Sequence, residues 1–421
     1  MNVFSDAGNT RILLYSLAVG GTLTLMSATG GVQGFVNWLE KKRWVRNRTQ
    51  AQLVPFLVGV LVTVESSITS LVAGTVGRPL TDRFKVSREK LAYICDSTSA
   101  PICILVPFNG WGAFILGLLA VQGVESPVAL LFQSIRVNFY PMVAIVIVFL
   151  SIVRKWNLGP MKAAELRAQH EGKVYGDDAR PMVADDVVGV KPLEGIQYRA
   201  VNLIAPVITM VVSIVVGIYV TGRLSAGEGT GLWDIIKASS GSTAVLWAVI
   251  MSLVVIAALN LFRGLPLNTF VDLIFKGMGG MIPVVSLLLL AFALGDAVRQ
   301  LGTGEYVAGV ISGVLSTKMA VIGLFLISCF VAFSTGTSWG TFAVMVPIAI
   351  PMATTLDGST PMFLAAVLGG GVFGDHCSPI SDTTIISSMA SASDHIDHVR
   401  TQIPFATVGA AVTIVIYLII A

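Results

Sequence analysis

Residues 361–393, PMFLAAVLGGGVFGDHCSPISDTTIISSMASAS, place two carboxylates, a histidine and a second proline inside an apolar stretch of membrane-spanning length. A hydrocarbon core about 30 Å thick needs about 20 apolar residues for one helix. Around Asp375 and Asp382, Gly, Pro, Ser and Thr are dense enough to break a helix in mid-membrane. Ionisable groups are expensive in lipid and usually face a cavity or a conduction path. The stretch therefore predicts a discontinuous transmembrane helix with a polar break.

The rest of the chain has the same membrane character. Of its 421 residues, 54% are hydrophobic and only 12% are charged, whereas soluble domains are about 45–50% apolar and about 25% charged. Membrane-length apolar stretches recur about ten or eleven times, and none shows the alternating pattern of a barrel strand. The composition excludes a soluble enzyme, a disordered protein and a nucleic-acid binder. It indicates an all-α polytopic membrane protein whose first partner is the lipid bilayer.

Basic residues cluster in short loops at 41–48, 78–90 and 154–162. Short loops rich in Lys and Arg lie on the cytoplasmic side, so we expect all three clusters there. The segment 49–77 between the first two clusters has only about thirty residues, which is too few for two full spans. It is therefore predicted to be a re-entrant hairpin that returns to the same side of the membrane.

The polar segment 154–199 divides the apolar sequence into two unequal parts. We predict an N-terminal transmembrane half over 1–153, a cytoplasmic linker loop over 154–199 and a C-terminal transmembrane half over 200–421. The first apolar stretch begins abruptly, so the N-terminal half could be incomplete. A multi-pass protein of this kind is expected in the inner (cytoplasmic) membrane.

Two pairs of polar clusters resemble each other. The segment SSITSLVAGT at 66–75 resembles STGTSWGT at 334–341, and DSTSAP at 96–101 resembles DHCSP at 375–379. Paired interrupted segments in corresponding positions of two halves are the best sequence indicator of a transporter's binding site. The pattern predicts two inverted-type repeats with re-entrant hairpins and discontinuous transmembrane helices.

The broken helices suit a small hard cation, because free carbonyls and hydroxyls supply oxygens and a carboxylate supplies charge. Na⁺ is predicted at Asp375 and Asp382, with Asp96 as the counterpart in the first repeat. A proton would compete there, since desolvation disfavours the charged carboxylate. His376 is predicted to tune the working pH, because its ordinary pKa is near 6.5. The other candidate ion-binding residues are Thr337, Ser338, Ser378, Ser381, Thr383, Ser99 and Glu65. Each hydroxyl could instead bond its own backbone, as most do in membrane helices.

Three motifs are interpreted as not functional. GTSWG at 336–340 matches the serine-hydrolase elbow, but no strand pattern precedes it. GGGVFG at 369–374 matches a dinucleotide fingerprint without a surrounding βαβ unit, and no P-loop indicates ATP. The sequence therefore predicts a protein that is not an enzyme. DHIDH at 394–398 has metal-ligand residue types, but we expect a solvated loop, with pH sensing or a minor metal role as the alternative.

At these clusters the chain resembles the NhaC-type Na⁺/H⁺ antiporter family. The most specific match is GDHCSPISDTT at 374–384, which continues through DHIDHV at 394–399 into TQIP at 401–404. The supporting matches are 335–341, 96–101 and RPL at 78–80. Members of that family exchange cytoplasmic Na⁺ or Li⁺ for external protons, and some relatives couple them to malate–lactate exchange or are linked to drug efflux. Members also tend to be longer at the N-terminus.

The residues and the resemblance together predict a secondary active transporter that exchanges cytoplasmic Na⁺ or Li⁺ for external H⁺, driven by the proton gradient and without a cofactor. The first alternative is a Na⁺/H⁺-coupled exchanger of organic anions or drugs. An anion exchanger needs a positive residue in mid-membrane, for which Arg136 is the candidate. A more remote alternative is a cation channel. Dimers are common among transporters, so a homodimer is one oligomeric state that the sequence allows.

Overall fold

The computed structural model describes residues 6–41, 45–63, 65–181, 192–193, 195–226, 230–302, 306, 309 and 316–421. These residues are nearly all helical and contain no strand, which confirms the predicted all-α class. The helices of the described part are α1 (Ala7–Ala28), α2 (Gly31–Lys41), α3 (Arg48–Leu61), α4 (Ser66–Arg83), α5 (Arg88–Ser97), α6 (Ala100–Leu105), α7 (Gly110–Val121), α8 (Pro127–Ile135), α9 (Phe139–Val153), α10 (Gly159–His170), α11 (Val201–Ala226), α12 (Leu232–Lys237), α13 (Gly241–Leu261), α14 (Leu267–Gly280), α15 (Ile282–Gln300), α16 (Thr317–Thr335), α17 (Ser338–Thr355), α18 (Thr360–Cys377), α19 (Asp382–Ser391) and α20 (His395–Ile420).

Seven helices in the described part are long and apolar enough to cross a membrane, or up to eight if one broken pair counts as a span. The chain is thus a multi-pass membrane protein, and its described part contains fewer such helices than the ten or eleven apolar stretches of the whole sequence. Helices next to the polar breaks account for part of the difference, because they are short or carry charge. Both α5 and α19 have ten residues, and α18 ends in a turn that contains Asp375 and His376.

The chain forms two compact units that interleave along the sequence. The first comprises residues 1–41, 107–133 and 190–303, and the second comprises 42–106, 134–189 and 304–421. In the first unit, α1 packs on α14 where Gly20 and Gly277 meet, and a Cβ on either glycine would collide with the other's backbone. Such small-residue contacts allow helices to approach closely in a membrane. The division into halves at 154–199 stays a prediction.

The second unit has a core of side chains from α3, α5, α9, α10 and α20. Its central members are Phe56, Tyr93, Val148, Met161 and Phe405. Helix α10 lies inside the segment expected to be a linker, and it joins this core because Met161 is fully buried. Helices α3 and α4 pack against each other as a helical hairpin. The re-entrant course of this hairpin and the inverted repeats stay predictions.

Candidate functional site

Two helix breaks meet in the second unit. Helix α16 ends at Thr335, and Gly336 follows with a left-handed φ of 67°. A Cβ at Gly336 would lie 2.7 Å from the carbonyl oxygen of Ile380 in the other break, so only glycine fits. The other break follows the end of α18 at Cys377, where Pro379 cannot continue a helix. Local sequence therefore makes both breaks, and the missing side chain of Gly336 lets them touch.

The carboxylate of Asp375 lies buried between these two breaks. The hydroxyl of Ser338 donates to its Oδ2 at 2.8 Å, and the hydroxyl of Ser381 donates to its Oδ1 at 2.6 Å. Ser338 is the first residue of α17 and Ser381 is the N-cap of α19, so both positive helix ends lie near the carboxylate. We call Asp375, Ser338 and Ser381 the hydroxyl cradle. It offers a small cation one charge and several oxygens.

The carboxylate of Asp96, on α5, is fully buried and has different partners. The amide Nε2 of Gln402 donates to its Oδ2 at 2.6 Å, and Thr384 donates to the same oxygen at 3.3 Å. The Nε2 of His398 lies 3.8 Å from that oxygen. Its Oδ1 has no hydrogen-bond partner among the described residues. We call Asp96, Gln402, Thr384 and His398 the amide–histidine pocket.

Thr384 links the two carboxylate regions. Its hydroxyl lies 3.3 Å from Oδ2 of Asp96 and 3.2 Å from the backbone oxygen of Asp375. Thr384 therefore contacts the carboxylate of Asp96 and the backbone of Asp375 with one hydroxyl. Helix α19 carries Thr384 and also begins at the cradle, so it connects both sites.

Other predicted ion-binding residues bond to groups other than the carboxylate of Asp375. Asp382 is the exposed first residue of α19, and it accepts the backbone N–H of Thr383 at 2.8 Å. The hydroxyl of Ser378 donates to the oxygen of Phe333 at 2.8 Å, and that of Ser99 donates to the backbone oxygen of Asp96 at 2.8 Å. Thus the structure brings Asp375 together with Ser338 and Ser381. The bonds of Asp382, Ser378 and Ser99 described above go elsewhere.

The remaining hydroxyl candidates and Glu65 lie at helix starts. Thr337 caps α17, and Thr383 lies 3.1 Å from the hydroxyl of Ser381 at the start of α19. Glu65 is half-buried and caps α4 by accepting the N–H of Ile68 at 3.1 Å. A capping role accounts for Thr337 and Glu65, because the first backbone N–H groups of a helix need acceptors.

His376 is fully buried, with both ring nitrogens in contact with hydroxyls. Its Nε2 lies 2.9 Å from Oγ of Ser97, and its Nδ1 lies 2.9 Å from the hydroxyl of Tyr140. Tyr93 stacks parallel to the imidazole, with 6.4 Å between ring centroids. The residue thus joins α5, α9 and α18, and its role in tuning pH stays a prediction.

The expectation of a solvated loop at 394–398 is wrong for His398, which is fully buried. Asp394 begins α20 as its N-cap by accepting the N–H groups of Ile396 and Asp397. Although partial burial opposes the effect, these donors and the N–H of Arg180 lower the pKa of the Asp394 carboxyl. The cap starts a helix where a loop was expected, and the first turn of that helix directs His398 inward.

Sequence analysis did not name Gln402 or Tyr140 as site residues, and it gave the segment that contains His398 a pH-sensing or metal role only as the alternative. His398 and Gln402 stand four residues apart, which places them on one face of a helix and could have indicated a polar stripe. Arg136, the candidate for anion recognition, lies between α8 and α9 and is exposed. Among the described residues, no three His, Cys, Asp or Glu side chains gather as a metal site.

Comparison with known proteins gives the family of the chain. The model of the Na⁺/H⁺ antiporter family matches residues 111–421, which include α16–α20 and the cradle. The chain belongs to the Na⁺/H⁺ antiporter family. Its members and relatives are transporters, and the predicted resemblance to the NhaC type is confirmed at the level of this family.

Relatives of this antiporter family member differ in how much of the chain they match. A Haemophilus influenzae protein described as uncharacterised is 30% identical over 99% of this chain and 80% of its own length. An uncharacterised Na⁺/H⁺ antiporter from the same organism is 36% identical, but over 23% of this chain and 21% of its own. The YdaH transporter of Alcanivorax borkumensis is similar in fold at 12% identity, with a TM-score of 0.57 over 99% of this chain and 85% of that one.

Proposed function

We propose that this antiporter exchanges cytoplasmic Na⁺, or Li⁺, for external H⁺ in the inner (cytoplasmic) membrane, driven by the proton gradient. The observation that carries the proposal is the hydroxyl cradle. In it, the buried carboxylate of Asp375 lies between two helix breaks and accepts hydroxyls at both oxygens, from Ser338 at 2.8 Å and Ser381 at 2.6 Å. No cofactor and no ATP enter this scheme.

Competition between a cation and a proton at two linked buried carboxylates, Asp375 and Asp96, is the chemical basis of the exchange. A carboxylate removed from water is unfavourable when it is charged and alone, so either a proton or a cation must neutralise it. With Na⁺ present, the hydroxyls of Ser338 and Ser381 turn their lone pairs to the ion, and Asp375 supplies the charge. When a proton neutralises the buried charge instead, no cation is needed. Loading Na⁺ from the cytoplasm then expels the proton, and reopening to the outside reverses the exchange.

Asp382 and Asp96 have different roles in this proposal. Asp382 is exposed at the start of α19, next in sequence to Ser381, where its carboxylate can attract a cation before the ion reaches Asp375. Asp96 has an oxygen without a hydrogen-bond partner in the described part of the chain, which leaves a place for a proton. Because Thr384 contacts both regions, protonation of Asp96 and cation binding at Asp375 are coupled.

The test is proton flux in sealed vesicles that contain the purified protein and a preset pH gradient. NaCl, LiCl, KCl and sodium malate are added separately to the wild type and to Asp375→Asn. We expect NaCl and LiCl to dissipate the gradient in the wild type and to have no effect in the variant. A matched control is Asp357→Asn, because Asp357 is exposed in a turn with a φ of 50° that asparagine also tolerates.

Three results would contradict the proposal. A response only with malate would favour organic-anion exchange and make Arg136 the next residue to change. Current without obligatory counter-transport would favour a channel. Equal flux in the wild type and in Asp375→Asn would remove the cradle from the mechanism, provided that both proteins insert to the same level.

A further inference from the structure

A chain of hydrogen bonds leads from a half-buried imidazole near the start of α20 to the amide–histidine pocket. The Nδ1 of His395 lies 3.1 Å from Oγ of Ser388, and that oxygen lies 2.9 Å from Nδ1 of His398. The Nε2 of His398 lies 3.8 Å from Oδ2 of Asp96. His395 is half-buried, whereas His398 and Asp96 are fully buried.

The orientation of Gln402 determines which nitrogen of His398 carries hydrogen. The Nε2 of Gln402 contacts both Asp96 and the backbone oxygen of His376, and a backbone oxygen can only accept. The amide nitrogen of Gln402 therefore points towards Asp96 and the backbone of His376. Its amide oxygen lies 2.9 Å from Nε2 of His398. That ring nitrogen must donate, so a neutral His398 has a bare Nδ1.

The same reasoning applies to His395. Its Nε2 lies 2.6 Å from the backbone oxygen of Pro379, which can only accept, so this nitrogen also carries hydrogen. When both imidazoles are neutral, two bare Nδ1 atoms face Ser388, which has one hydroxyl hydrogen. The backbone oxygen of Thr384, which lies 2.9 Å from Oγ of Ser388, is a competing acceptor for that hydrogen. One added proton satisfies the arrangement, because one imidazole then donates to Ser388 while Ser388 donates to the other.

We propose that His395, Ser388 and His398 form a proton relay between the cytoplasm and Asp96, separate from the cation's contact with Asp375. A proton on Nδ1 of His395 moves to Oγ of Ser388, and the serine hydrogen moves to Nδ1 of His398. His398 then passes its Nε2 hydrogen to Oδ2 of Asp96, after a side-chain shift that shortens the 3.8 Å separation. One proton enters at His395 and one arrives on Asp96. His398 is left neutral with its hydrogen on Nδ1, and the same side-chain shift moves its bare Nε2 away from the amide oxygen of Gln402. From this tautomer the reverse steps carry a proton from Asp96 to His395 and the cytoplasm, which is the direction that the proposed exchange requires.

The outer end of the relay lies beside segments predicted to be cytoplasmic. Asp394, next to His395, accepts the backbone N–H of Arg180 at 2.9 Å, and Arg88 of the second basic cluster donates to the oxygen of Ala392 at 3.1 Å. The titratable groups that interact with the two imidazoles include Asp394 on α20, Asp96 on α5 and His376 on α18. The acidic groups at both ends stabilise an added proton, and the relay supplies the proton step of the proposed exchange, on which it rests.

The test compares Ser388→Ala with Ser391→Ala in vesicles. Both serines are buried on α19, but among the described residues the hydroxyl of Ser391 has only the backbone oxygens of Ser387 and Ser388 as partners. We expect Ser388→Ala to slow Na⁺-driven proton flux about tenfold or more, because positioned proton-transfer groups contribute at least that much. Counterflow of labelled Na⁺ at equal pH on both sides, which needs no net proton movement, should stay near the wild-type rate. Ser391→Ala should change neither rate.

Equal proton flux in Ser388→Ala and the wild type would overturn the relay while leaving the exchange proposal intact. Equal loss of proton flux and of Na⁺ counterflow in Ser388→Ala would show a structural role and would also overturn the relay. If the wild type moves protons only with malate, the exchange proposal fails. The relay is then judged by the ratio of malate-driven proton flux in Ser388→Ala to that in the wild type, for which about tenfold slowing is again expected. Restoration of flux by Ser388→Thr, which keeps a hydroxyl, would support it further.

Discussion

Asp375 and Asp96 are buried carboxylates that open similar sequence clusters, yet their surroundings differ in chemistry. Two serine hydroxyls hold Asp375, whereas an amide, a threonine and a nearby imidazole surround Asp96. Hydroxyls can turn a lone pair towards a cation, but the NH₂ group of Gln402 can only donate. Burial means that each carboxylate needs a positive partner. The neighbouring groups decide whether that partner is a cation, as proposed at Asp375, or a proton, as proposed at Asp96.

The largest expected effect comes from exchanging the two acids for amides. In Asp375→Asn we expect labelled Na⁺ counterflow to fall about a hundredfold or more, since loss of one partner of a buried charge pair costs about 3–5 kcal/mol. In Asp96→Asn the counterflow should persist, while Na⁺-driven proton flux is lost. The two rates are measured in the same vesicles. Loss of Na⁺ counterflow in both variants would contradict the assignment of the cation to Asp375 and the proton to Asp96.

A smaller effect is expected from one hydroxyl of the cradle. Ser338→Ala should raise the Na⁺ concentration at half-maximal flux about tenfold to a hundredfold, because a hydrogen bond to a charged group contributes about 1.5–3 kcal/mol. The Na⁺ dependence of proton flux measures this change. Ser334→Ala, on the exposed side of α16, is the control and should behave as the wild type. An unchanged Na⁺ dependence in Ser338→Ala would mean that the hydroxyl serves packing alone.

The smallest expected effect concerns the contact between the two breaks. Gly336→Ala should destabilise the protein by about 1–2 kcal/mol from its left-handed backbone alone, and the contact with Ile380 adds to this. Thermal unfolding in detergent measures the loss. Gly323→Ala is the matched control on α16, since a Cβ there meets nothing within 4 Å and alanine favours a helix. Equal midpoints for the two variants would show that the breaks need not touch.

Much of this architecture follows from local sequence. Gly336 and Pro379 lie at the two breaks, and Ser338 and Asp375 became candidates because they are polar residues in the clusters around these breaks. Asp382 had equal standing with Asp375 in sequence analysis, because both lie in one short polar segment. The turn that ends α18 buries Asp375, whereas the first residue of α19 exposes Asp382. Packing decides whether a side chain at a helix end points inward or outward, and the residue pattern alone does not predict that direction.

The sequence by itself determined the all-helical membrane character and the positions of the helix breaks, and it named Asp375 as a candidate, because hydropathy and helix-breaking residues act over a few neighbours. Only the tertiary structure decided which side chains meet. Gln402 reaches Asp96 across 306 positions of sequence, and His398 is buried where a solvated loop was expected. The physical reason is that a buried polar atom must find a partner, and folding brings that partner from any part of the chain.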